Sequence, residues 1–215
     1  MDYQHWCSLR DDELAAQDIA EVNLACAIGL PGAEKLHVPI SLHTLEQWTD
    51  RVRQGISNAM RNRGRFPMYD ELSDAEYRIL TMFSVLYRHV GLTLNLDCHD
   101  PNFEYDGGDS STNFIHSALQ ANCPLTCCTA PVIFAAIGRR LGYPIKLVKT
   151  REHIFCRWVE DNERFNIEAT SKGYYPKSDE WYHTFPRPIY REGLASGVFL
   201  TDLTPRQELG LFLSF

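Results

Sequence analysis

Two cysteines stand side by side in "LTCCTAPVIFAAIGRRLGYP" (125–144), and a histidine and a glutamate follow in "HIFCRWVE" and "RFNIEAT". A thiol, an imidazole and a carboxylate are the parts of nucleophilic acyl chemistry. The sulfur attacks as thiolate, the histidine takes its proton, and the acid orients the ring. Pro131 has no N–H to donate, so the helix that follows the thiols begins near Cys127 to Ala130, with Cys127 and Cys128 in or beside its first turn. There, oriented N–H groups and the positive end of the helix dipole favour an anion and can receive a developing oxyanion. Successive helix residues point about 100° apart, so only one thiol can face a given cleft while the other packs.

The base must come from another element. His153 opens the strand-like run "HIFCRWVE", one connection after the helix. An antiparallel hairpin with "RFNIEAT", closed by the four-residue loop Glu160 to Glu163, sets Val159 opposite Arg164, Phe155 opposite Glu168 and His153 opposite Thr170. Alternation then puts His153, Asn166, Glu168 and Thr170 on one face, where Glu168 or Asn166 can orient the imidazole. A one-residue slip would undo this. Blander readings use the same residues: a cysteine at a helix start is often a small buried hydrophobe, and a histidine at a strand end a surface residue. Cys123, Cys127, Cys128, Cys156, His116 and His153 are enough ligands for zinc. Adjacent cysteines rarely reach one tetrahedral ion, however, and no second closely spaced pair accompanies Cys123 and Cys127, so neither metal nor cofactor is expected.

The elements that position these groups read as follows. "DDELAAQDIAEVNLACAIGL" is one helix with an acidic first turn. "SLHTLEQWTDRVRQGISNAM" is a second, capped by Ser41 and with Leu45, Trp48, Val52 and Ile56 on its apolar face. "SDAEYRILTMFSVLYRHVGL" is a third, with a Ser73/Glu76 capping box and a stop at Gly91. Residues 96–117, rich in Asp, Asn, Gly and Ser, form a long loop and a candidate cleft wall. In the thiol helix, Ile133, Ile137 and Leu141 form the buried stripe, Arg139 and Arg140 suit the C-terminal end, and Gly142 and Pro144 close it. "PIKLVKT" is a further strand. An aromatic coil, "YYPKSDEWYHTF", leads to "LTPRQELGLFLSF", a helix opening at Thr204-Pro205 whose apolar end either docks or continues in a longer chain. The expected organisation is a helical N-terminal region (1–95), a core (96–190) and a C-terminal segment (191–215) in one compact unit.

Composition bounds the rest. The 215 residues, 44% hydrophobic and 23% charged, suit a globular chain able to bury a core without staples. A net charge of −7 argues against a nucleic-acid partner, and the basic stretch 51–65 carries helix-spaced apolar residues, as a solvated helix face does. No apolar run is long enough to span a membrane, and "MDYQHWCSLRDDELAAQD" has no basic stretch followed by an apolar core, so a cytoplasmic protein without a membrane partner is expected. Seven cysteines without a framework spacing fit a reducing compartment.

"TCCTAPVIFAAIGRRLGYPIKLV", "HIFCRWVE" and "RFNIEAT", taken together, resemble the core of the transglutaminase-like superfamily, particularly the bacterial transglutaminase-like proteins often joined to a tetratricopeptide region. The likeness is close over Cys123 to Thr170 and more diffuse in "VNLACAIGLPGAEKL", "YRILTMFSVLYRHVGL" and "LTPRQELGLFLSF". Measured back from Gly142 and Pro144, the family cysteine falls on Cys127, with Cys128 its packing neighbour; the histidine falls on His153 and the acid on Glu168, where the family usually has Asp. The resemblance implies an α+β fold with a papain/transglutaminase-like core: an active-site helix packed on a small antiparallel sheet. It also implies a Cys127–His153–Glu168 triad acting on a protein or peptide amide, by hydrolysis or by transfer to an amine. A non-catalytic interaction module, docking through the aromatic coil, is the alternative.

Overall fold

The computed structural model describes residues 3–95, 97 and 108–215. It is a mixed α+β architecture, with helices first and a small open antiparallel sheet after them. Helices α1 (Tyr3–Ser8), α2 (Asp11–Ala15) and α3 (Ile19–Ala27) open the chain. The single helix expected over α2 and α3 is two, because the Asp18 side chain accepts from the Ala20 N–H and caps a new start. Helix α4 (Val38–Asn62) begins ahead of the expected Ser41 cap: the His37 ring accepts from the Ile40 N–H, Pro39 suits the first turn, and Ser41 is buried inside. Helix α5 (Asp74–Ser84) has the Ser73/Glu76 capping box in full and runs into a π turn, Val85–Val90, that stops at Gly91 with φ 87°.

The loop expected over 96–117 falls largely outside the described residues, and Cys98 with it. Its described end holds a 3₁₀ turn, Ser110–Thr112, and the start of α6 (His116–Ala121). Helix α7 (Thr129–Arg140) follows. In place of one buried stripe, every residue from Thr129 to Gly138 is buried. Helices α3 and α4 and two strands surround it. Gly138 lies so close to Ile145 that any Cβ would collide with that side chain, which seats the helix against the sheet. Its end is held by ion pairs of Arg139 with Glu208 and of Arg140 with Asp18 and Glu46.

Strands β1 (Ile145–Thr150), β2 (His153–Glu160) and β3 (Glu163–Ile167) form a sheet in that order, all antiparallel. Val159 pairs with Arg164 as the spacing predicts. Pairing continues to Glu160 and Glu163, so the connection is the two-residue turn Asp161-Asn162 and not a four-residue loop. The register is unchanged, and so are the faces. One face presents Leu147, Ile154, Cys156 and Ile167 to the main core, which also takes in Trp6, Leu45, Phe83 and Phe134. The other carries Val148 and Phe155, covered by Tyr182 of α8 (Asp179–Tyr182). After α9 (Arg191–Ala195), the Leu200 and Leu203 N–H groups donate to Lys149 and Leu147 of β1. Helix α10 (Pro205–Phe212), capped by Thr204, docks Leu209, Leu211 and Phe212 into the main core.

Candidate active site

The residue before the α7 cap, the first residue of β2 and the residue just past β3 come together at one end of the sheet. They are Cys127, His153 and Glu168. The His153 Nε2 lies 2.8 Å from Glu168 Oε2. The imidazole also hydrogen-bonds the Cys127 side chain. All three are almost sealed from solvent, at 4%, 4% and 5% exposure.

Electrostatics follow from that packing. Burial pushes the His153 pKa down, but the Glu168 charge and the hydrogen bonds with Cys127 and Glu168 outweigh it and raise it to about 10. Burial pushes Glu168 up, and the His153 charge with the bonds from His153 and Thr170 overcomes that to leave it at about 2. Glu168 is well supplied with donors: Oε1 accepts from the Thr170 N–H at 3.0 Å and from the Thr170 hydroxyl, and Oε2 accepts from the Tyr182 hydroxyl at 2.9 Å. Tyr182 is locked in turn, stacked on Phe155 with centroids 3.8 Å apart, and its carbonyl accepts from the Thr150 hydroxyl. The edge of Phe185 closes on the imidazole, with centroids 5.2 Å apart.

No family model, no curated protein and no solved structure matches this chain. Its chemistry is therefore read from its own side chains.

Two expectations are corrected. Asn166 does not orient His153: it sits opposite Arg157 in the ladder, accepts from Arg157 Nε at 2.7 Å and donates to Asp179 and the Lys177 carbonyl. Cys128, expected to be the packing neighbour, does pack against the main core, though it is less buried than Cys127. The N–H groups of the first α7 turn are not idle, because Thr126 Oγ1 accepts from Cys128 and Thr129 and the Thr126 carbonyl from Ala130.

The other metal-type side chains are spread out. The Cys156 thiol donates to the Pro131 carbonyl at 3.1 Å, and His116 meets Ser110 Oγ. Among the described residues, no three His, Cys, Asp or Glu side chains gather as metal ligands would, and no helix is long and apolar enough to cross a membrane.

Tyr182 is the residue the sequence reading placed wrongly. It belongs to the aromatic coil expected on the surface, yet it is fully buried, while Tyr175 nearby is 65% exposed. Ser178 followed by two acids was the available signal. Its side chain accepts from the Trp181 N–H, which starts α8 and turns Tyr182 inward.

Proposed function

We propose that this chain is a thiol-dependent enzyme of the transglutaminase-like superfamily, with a papain/transglutaminase-like core, that transfers acyl groups from amides. What carries this reading is the unbroken buried chain from the Cys127 thiol through His153 to Glu168. A protonated imidazole beside a sulfur favours the thiolate, and a carboxylate hydrogen-bonded to the ring favours the protonated imidazole. The Cys127 sulfur bonds to the amide carbon. His153 gives its proton to the nitrogen as the C–N bond breaks, and the amine leaves behind a thioester. Water or a second amine then bonds to the acyl carbon as the C–S bond breaks and the thiolate is restored, giving the acid or a new amide, with His153 taking the incoming proton. Glu168 keeps its charge throughout and fixes the ring. Glu168 also reaches His153 from one residue past β3, so the longer arm in place of the usual Asp is matched to its position.

One observation favours a second reading. The thiol is 4% exposed and the first-turn N–H groups are already engaged, as suits a relic kept for structure in a protein-interaction module. The test is turnover of a glutaminyl peptide, followed as ammonia release and as hydroxylamine incorporation, beside casein digestion. Turnover by wild type and Cys128→Ala but not by Cys127→Ala supports the enzyme. Turnover that survives in Cys127→Ala, or iodoacetamide at about pH 6 that labels Cys127 no faster than Cys7, contradicts it.

A further inference from the structure

A cleft of about 390 Å³ opens between α4, α5 with its π turn, and residues 172–173, with none of Cys127, His153 and Glu168 in its lining. That volume is in the range of small-molecule sites, roughly 300–1,000 Å³. Its accessible apolar walls are Tyr69, Leu80 and Tyr87, and Gly55 and Gly173 contribute no side chain to fill it. The rim holds Arg88, His89 and Lys172, and none of the lining residues is acidic. In a chain with a net charge of −7, that grouping is against the overall balance.

These side chains also lack partners among the described residues. On the neighbouring surface Arg53 pairs with Asp50 and Arg63 with Asp74. Arg88, His89 and Lys172 are exposed and form no hydrogen bond or ion pair with any described residue. Arg88 and His89 reach the cleft from the π turn, a helix irregularity that recurs at functional sites.

We propose that this cleft binds a small organic anion: an aromatic or apolar body against Tyr69, Leu80 and Tyr87, and one carboxylate or phosphate between Arg88 and Lys172. The cleft shares a wall with the thiol site. Tyr87, in the lining, donates its hydroxyl to the Ala169 carbonyl at 2.6 Å, one residue beyond Glu168. The proposal does not rest on acyl transfer and holds for an inactive chain as well.

The test is a titration of the ¹⁵N-labelled full chain with 3-phenylpropionate, phenyl phosphate and the neutral 3-phenylpropan-1-ol. The expected result is saturable amide shifts at Thr81, Ser84, Arg88 and Gly173 for at least one anion, with the alcohol about tenfold weaker. The arm that binds more tightly names the head group. The double variant Arg88→Gln/Lys172→Gln, at two exposed positions, should weaken the anion about tenfold and leave the alcohol unchanged. Equal binding of alcohol and anions, shifts that do not saturate or map elsewhere, or an unaltered double variant overturns the proposal.

Discussion

Two buried cations lie on the same face of β2, four residues apart, and they are built differently. Arg157 is fully buried, and its fork is spent on fixed acceptors: Nε on Asn166, one terminal nitrogen on Asp202 and the Leu200 carbonyl, the other on Asp179. His153 is as deeply buried but spends Nε2 on a carboxylate and also hydrogen-bonds a thiol. The first cluster ties α8 and the 200–202 segment to the sheet. The second ends on a group that can gain or lose a proton. Burial of a charge marks neither stability nor chemistry by itself; the nature of the last partner separates the two.

That contrast can be broken from either side. Cys127→Ala should lower amide turnover by more than about 10³ and change stability by less than about 1 kcal/mol. Assays beside thermal melts measure both. Arg157→Met should do the reverse, costing about 3–5 kcal/mol in a denaturant melt because Asp179, Asp202 and Asn166 lose their shared donor. The fraction that stays folded should still alkylate at Cys127 at the wild-type rate. If Arg157→Met proves harmless to folding, or Cys127→Ala unfolds the chain, the two clusters do not differ as described. Glu168→Gln keeps the shape but removes the charge on the His153 side, and kcat should fall by about 10² or more.

The pH dependence of stability sharpens the same contrast. His153 is held above its ordinary 6.5, so its contribution is complete below 6.5 and is lost as pH rises towards about 10. Glu168 is held below its ordinary 4.5, so its contribution is complete above 4.5 and is lost as pH falls towards about 2. Wild type should therefore exceed Glu168→Gln most clearly in Tm between pH 4.5 and 6.5. The smallest effect is expected for Tyr182→Phe. With one donor to Glu168 gone, stability falls by about 1 kcal/mol and its acid-side loss begins at higher pH. A Tyr182→Phe profile that overlays wild type would make that hydroxyl a bystander.

The site was legible where local rules govern position. Pro131 limits where α7 can start, the Asp161-Asn162 turn and strict alternation set the hairpin register, and the register carries His153 and Glu168 to one end. The Ser73/Glu76 capping box and the helix start at Thr204-Pro205 were legible for the same reason: each signal lies within one turn of its effect. What stayed hidden depends on distant partners. Arg157 stands opposite Asn166 in the expected register and so was open to the sequence as its partner, whereas nothing near Tyr182 says that Glu168 waits for its hydroxyl. The α2/α3 break was a competition between two local signals, an apolar stripe and an Asp cap, and the cap prevailed at Asp18. Of the two thiols, Cys127 meets His153 and Cys128 packs against the main core, while the deeper burial of Cys127 depends on what covers the site.

The most direct test is ¹⁵N NMR of the His153 ring through neutral and mildly alkaline pH, in wild type and in Cys127→Ala. Both ring nitrogens should stay protonated above neutrality in wild type, and the titration should move to lower pH when the thiol is removed. A ring that is neutral at neutral pH in wild type, with a titration that Cys127→Ala leaves in place, would contradict the coupling of sulfur, imidazole and carboxylate.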